Sequence, residues 1–130
     1  MKIDIAFIDG RRLIPHELVN MNHFKKLLTQ ISHDGFIDDP IIVDEDTMII
    51  LDGHHRYTVA QHLGLKRLPV YFVNYCHNAV KVTSWREGER ITKKMVIKAG
   101  LSGKLLKPKT SRHIIGYRPR GLKISLDILK

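Results

Sequence analysis

The chain has 130 residues, 43% of them hydrophobic, which is enough to bury an ordinary core without a covalent staple. Cys76 is its only cysteine, which rules out an intramolecular disulfide and leaves no cysteine-based zinc site to build. The net charge of +9 is unevenly spread: residues 1–65 carry six Lys/Arg against ten Asp/Glu, a balance of −4, and residues 66–130 carry sixteen against three, a balance of +13. The second half therefore faces nucleic acid, nucleotide phosphates, a carboxylate or plain solvent. No apolar run approaches the roughly 20 residues of a membrane span. The first residues alternate apolar with charged, unlike the unbroken apolar core of a signal peptide. The expectation is one cytoplasmic domain over residues 1–130.

Ile3, Ile5 and Phe7 alternate with Lys2, Asp4 and Ala6, the period of a half-buried strand. Asp9-Gly10 marks a turn, and Pro15 keeps Ile14 extended in the loop that follows. From Val19 to His33, Met21, Phe24, Leu27, Leu28 and Ile31 recur at helical spacing. Asn20 or Asn22 caps that helix, and Gly35 suits its end. Ile41–Val43 and Met48–Leu51 flank an acidic turn and read as a hairpin. His54–Leu63 reads as a second helix, with Tyr57, Val59, Ala60 and Leu63 inward and Gly64 closing it. "LPVYFVNY", residues 68–75, is strongly β-prone and reads as a buried strand. "AVKVTSW", 79–85, alternates like another strand. "TKKMVIKAGLSG", 92–103, reads as a helix capped by Thr92. Residues 104–121 form a basic, proline-broken loop, and "LKISLDIL" ends the chain as a strand or a short helix. The fold class is α+β, a mixed sheet with small flanking helices.

Three short stretches carry chemistry. In "LDGHHRY", 51–57, a strand ends, Asp52 is a good N-cap type, Gly53 lets the chain turn, and a helix starts near His54. The free amides and positive dipole end of that helix suit a phosphate, and Arg56 adds a fork for two phosphate oxygens. A capped helix with exposed histidines fits the spacing equally well. Zinc does not, because adjacent helical side chains diverge by about 100° and His55 and His62 lie about 10 Å apart. In "IPHEL", 14–18, Glu17 is a candidate general base with His16 beside it, or a first-turn acid that favours the helix dipole. In "KPKTSRH", 107–113, two lysines, an arginine, a histidine and two hydroxyls suit an anion clamp or a solvated loop. Trp85 reads as core or pocket wall.

Together these residues resemble the ParB/sulfiredoxin nucleotide-binding fold. Within it, "PHE", "LDGHHR", "TSW" and "PKTSRH" are most similar to the free L-serine kinases. The resemblance implies transfer of a phosphoryl group from ADP or ATP, with Mg2+, to the serine hydroxyl. It implies that Glu17 is the base and that Asp52 and His54 are catalytic, Asp52 also holding Mg2+. It places the phosphates on Gly53, His54, His55 and Arg56, makes Trp85 a wall of the serine pocket, and assigns Lys109, Thr110, Ser111, Arg112 and His113 to the loop that holds the substrate. Ser111 stands where a threonine is usual, and Lys107 where a proline is expected. Sulfiredoxins carry a cysteine in the turn that here holds His54-His55, which argues against sulfinic acid reduction. The alternative is a non-enzymatic ParB-like module that binds nucleotide and DNA. A chain of this length has no room for a separate helical DNA-binding domain, and "TKKMVIKAGLSG" lacks a helix-turn-helix partner. Small-molecule substrates are therefore the expected partners, with no membrane.

Overall fold

A computed structural model describes residues 5–130. The strands are β1 (Ala6–Asp9), β2 (Phe36–Ile37), β3 (Ile41–Asp44), β4 (Ile50–Asp52), β5 (Arg67–Val73), β6 (Lys81–Ser84), β7 (Ser111–Ile114) and β8 (Ile124–Ser125). The helices are α1 (Met21–Asp34), α2 (His54–His62) and α3 (Lys93–Ser102), with short 3-10 turns at Gly10–Arg12 and Leu126–Ile128.

Four strands form the main sheet, in the order β1-β5-β3-β4. β5 runs antiparallel to β1 and parallel to β3, and β3 runs antiparallel to β4, so the sheet is mixed. β3 is buried at every position, because its two faces pack on two separate cores. Ile41 and Val43 point to one side with Ile50, Val59, Val70 and the inner faces of α1 and α2. Ile42 points to the other, with Ile49, Leu51, Tyr75 and Val96 of α3. Pro69 is tolerated in β5 because β3 begins alongside only at Val70, so at Pro69 the strand has β1 as its one neighbour. Two ribbons, β2 with β8 and β6 with β7, lie outside this sheet.

The caps follow the residue chemistry. Asn20 accepts from His23 N at the start of α1, and Gly35 ends it at φ 78. Thr92 accepts from Met95 N at the start of α3. Four expectations change. Ile3 and its neighbours lie outside the described residues, and the described part of β1 turns Ile8 inward and leaves Phe7 43% exposed. Met21 caps no core, since it sits at the first turn of α1, 57% exposed. Residues 111–114 are strand, not loop, because Ser84–Lys81 offer them an antiparallel edge. The C-terminal segment is both a two-residue strand and a 3-10 turn. No described helix is long and apolar enough to cross a membrane.

Candidate functional site

At the junction of α1, residues 36–39, the β4–α2 turn and the loop before β7 lies a cleft of about 480 Å³. The turn is its floor. Gly53 takes the N-cap position of α2 at φ 106, which L side chains rarely adopt, and no side chain caps the helix. Asp52 is therefore not the cap, contrary to its residue type. Its carboxylate turns to Arg118, with Nη1 to Oδ2 at 2.7 Å. Burial opposes the charge on Asp52, but Arg56 and Arg118 outweigh it and hold the carboxyl below its usual range. The uncapped first-turn amides of α2 remain open to an anion.

The paired histidines differ in depth but share a bonding pattern. His54 is 5% exposed, and its Nε2 accepts from His16 N at 3.1 Å. His55 Nε2 accepts from Asn20 N at 3.0 Å, and its ring stacks on His23. Arg56 is anchored by Nη1 to Asp39 O at 2.6 Å and to Pro40 O at 3.0 Å. It therefore ties the turn to the 39–40 segment, and half of its fork is committed to the fold.

Glu17 reaches the cleft from an extended segment. Leu18 N donates to Leu106 O, and Leu106 N donates to His16 O, so backbone bonds on both sides fix its carbonyl register. The Glu17 Oε1 accepts from Thr110 N and Ser111 N, both at 2.9 Å, and the Ser111 Oγ lies 3.3 Å from the same oxygen. Lys109, at φ 57, makes the chain turn so that successive amides converge on that oxygen. Burial pushes the Glu17 carboxyl above the usual carboxylate range, against the pull of these amides.

Glu17, Asp52, Gly53, His54, His55, Arg56, Trp85, Lys109 and Ser111 all line the cleft. Thr110, Arg112 and His113 do not. Thr110 Oγ1 donates to Lys107 O in the turn. Strand alternation throws Arg112 to the outer side of β7, where its guanidinium sits 4.7 Å from the Trp85 ring centre. His113 lies deeper, its Nε2 2.8 Å from the Tyr75 hydroxyl oxygen, and burial pushes its ring pKa down to about 3. The loop thus holds Glu17 through its backbone more than it displays a row of side chains. Trp85 is a rim residue, 57% exposed, and not core. The sequence pattern does not mark Arg118 as a site residue, nor His23 and Gln30 of the α1 wall, and it reads Leu27, which also lines the cleft, only as core. Arg118 lies in a run of basic residues with nothing local to mark it.

No group of three His, Cys, Asp or Glu side chains among the described residues is placed to hold a metal. The oxygen donors of the cleft suit a magnesium ion that keeps most of its ligands as water and phosphate.

A curated relative from Staphylothermus marinus, an ATP-dependent L-serine kinase, is 33% identical over 87 residues, which is 64% of this chain and 34% of the relative. The ADP-dependent L-serine kinase of Thermococcus kodakarensis is 32% identical over 88 residues, 65% of this chain and 36% of the relative. The matched stretch thus spans about a third of each relative's length. A solved free serine kinase in complex with AMP shares the fold, with a TM-score of 0.89 over 100% of this chain and 95% of that one, at 19% identity. Residues 1–87 match the ParB N-terminal domain, and the chain belongs to that family.

Proposed function

We propose that this protein is a kinase for free L-serine, forming O-phospho-L-serine from ADP or ATP. One observation carries the reading. A carboxylate whose proton affinity is raised by burial, Glu17, faces the same cleft as the uncapped N-terminus of α2. A base and a phosphate cradle facing one cleft are what transfer to a hydroxyl requires. The names of the relatives point the same way.

On this reading the amides of residues 54–56 and the charges of Arg56 and Lys109 hold the nucleotide phosphates. Glu17 takes the proton of the serine hydroxyl through Oε2 while Oε1 stays on its amides. Trp85 walls the acceptor side. Asp52, through the oxygen not paired with Arg118, is the residue that suits a nucleotide-borne Mg2+; the ion supplies charge neutralisation on the phosphates. The rest is positioning, which is the greater part of phosphoryl-transfer catalysis.

The test is direct. Incubated with serine, Mg2+ and either ADP or ATP, the protein yields phosphoserine detectable by 31P NMR. Glu17→Gln lowers kcat by roughly 10²-fold or more, the usual contribution of a general base, while nucleotide affinity changes little. Near-normal turnover in that variant removes Glu17 from the role. The second reading is a nucleotide-binding module that holds DNA, favoured by the family match and the +13 half. Absence of phosphoserine together with DNA binding of steep salt dependence selects it.

A further inference from the structure

His16 is fully buried, and the chemistry outlined above gives it no task. Its Nδ1 lies 2.7 Å from Ile50 O. A carbonyl only accepts, so Nδ1 carries the proton and donates. Its Nε2 lies 2.9 Å from Ser111 Oγ. Burial, partly offset by the Ile50 bond, pushes the ring pKa down to about 4, so the ring is neutral and Nε2 is an acceptor. The Ser111 hydroxyl has one proton and two acceptors, His16 Nε2 at 2.9 Å and Glu17 Oε1 at 3.3 Å, and the shorter approach assigns the proton to His16.

Ser111 Oγ also lies 3.3 Å from Glu17 Oε1. With its proton turned to His16, the hydroxyl presents lone pairs to that oxygen. Lone pairs facing a carboxylate disfavour its charged form. Glu17 is thus drawn two ways. The amides of Thr110 and Ser111 favour the carboxylate, while burial and the turned hydroxyl favour the acid. The same residue also reaches the phosphate turn: its backbone N–H donates to His54 Nε2, and its ring lies edge-on to the His54 ring, 4.6 Å between centres.

We propose that His16 is a positioning residue: it holds the Ser111 hydroxyl turned away from Glu17 and so strengthens that carboxylate as a proton acceptor. This rests on the reading of Glu17 as the base. The titratable groups that face the pair are His54 and His55 from α2, Asp52 from β4, Lys109 from the preceding loop and His113 from β7. None of them bonds to Ser111 Oγ, so each contributes a background common to wild type and variants.

The experiment follows the Glu17 carboxyl by 13C NMR titration and, alongside it, the acid limb of kcat in the full chain. In His16→Asn the amide can still donate to Ile50 O but falls short of Ser111. The freed hydroxyl then turns to Glu17, and both readouts move down by about one pH unit, a tenfold loss of proton affinity. His16→Gln offers a carbonyl to Ser111 and stays nearer wild type. Ser111→Ala, which removes the lone pairs, moves down by less, and Ser111→Thr keeps the wild-type position. An upward move in Ser111→Ala, or an unmoved titration in His16→Asn, overturns the proposal. If His16→Asn does not fold, Ser111→Ala decides alone. Wild-type protein that makes no phosphoserine defeats the kinase reading, while the NMR titration still judges the hydrogen-bond arrangement.

Discussion

The Nε2 atoms of His54 and His55 each accept a backbone N–H, which fixes both rings as Nδ1–H tautomers. Burial, and after it the neighbouring imidazoles, push His54 well below the usual range; burial, then His23, Lys109 and Arg56, push His55 down to about 4. At neutral pH the pair offers hydrogen bonds without charge, and the positive end of the cleft comes from Arg56, Lys109 and the helix amides. Arg56 places one nitrogen, Nη1, on two carbonyls at the reach and in the plane that its guanidinium sets, and a shorter, tetrahedral ammonium does not reproduce that placement. Arg56→Lys loses at least one of the two bonds to Asp39 O and Pro40 O, leaving buried carbonyls short of a partner. Its unfolding free energy drops by about 1–3 kcal/mol in urea denaturation, and nucleotide binding weakens as well. Wild-type stability in that variant means that Arg56 serves ligand alone. The double role is hidden in the sequence, where "GHHR" shows a cation beside a turn but not the carbonyls of a segment 16 and 17 residues away.

Gly53 sets the aim of the α2 amides. At φ 106 a Cβ is strained by backbone alone, and here it meets Ile41 Cγ1 at 3.0 Å and Arg56 Nη2 at 3.1 Å. Gly53→Ala costs roughly 1–3 kcal/mol of stability and shifts the start of the helix. Because the amides must point at the phosphates, nucleotide affinity falls by about tenfold in a calorimetric titration. Gly64→Ala is the control. Its φ of 69 also disfavours an L side chain, but nothing lies within 4 Å of the new Cβ and the residue sits past the C-terminal end of α2, away from the phosphate turn, so affinity holds while stability drops. An equal loss of affinity in both variants would point to general loosening. At this scale local chemistry was readable: Asn20, Thr92, Gly35 and Gly103 cap the helices their residue types announce. Elements made by distant partners were not. β2 and β8 are two residues each and exist only because they find each other. β7 lies inside a basic run whose pattern says loop, and only β6 makes it strand. The motif residues marked the cleft, but Arg118 and the hub role of His16 depend on contacts such as the one to Ser111, 95 positions away.

Three imidazoles, His16 from the segment before α1, His54 from α2 and His113 from β7, converge at the cleft. The His16 ring centre is 4.6 Å from that of His54 and 5.8 Å from that of His113. Burial is the largest cause of depression in each, with His16 pushed down to about 4 and His113 to about 3. The unfolded chain takes up these protons near the ordinary value of 6.5, whereas the folded chain refuses them until far lower pH. Folded stability is therefore complete above pH 6.5 and is lost as pH falls towards 4. His16 alone removes about 2 kcal/mol by pH 5, from the tenfold-per-unit relation. Glu17 acts in the opposite sense, since its raised carboxyl keeps a proton that the unfolded chain has released, and it offsets part of the loss as pH falls through its raised value. Carboxylates with lowered values, Asp9 and Asp52, stabilise the fold at neutral pH and lose that contribution only at lower pH still. The midpoint of urea denaturation accordingly falls between pH 7.5 and 5, before any acid group has titrated in the unfolded chain. His16→Asn removes one of the three rings and flattens that slope. A midpoint that stays level over this range would mean that the rings are already charged in the folded protein. In that case the tautomers that turn Ser111 from Glu17 could not hold.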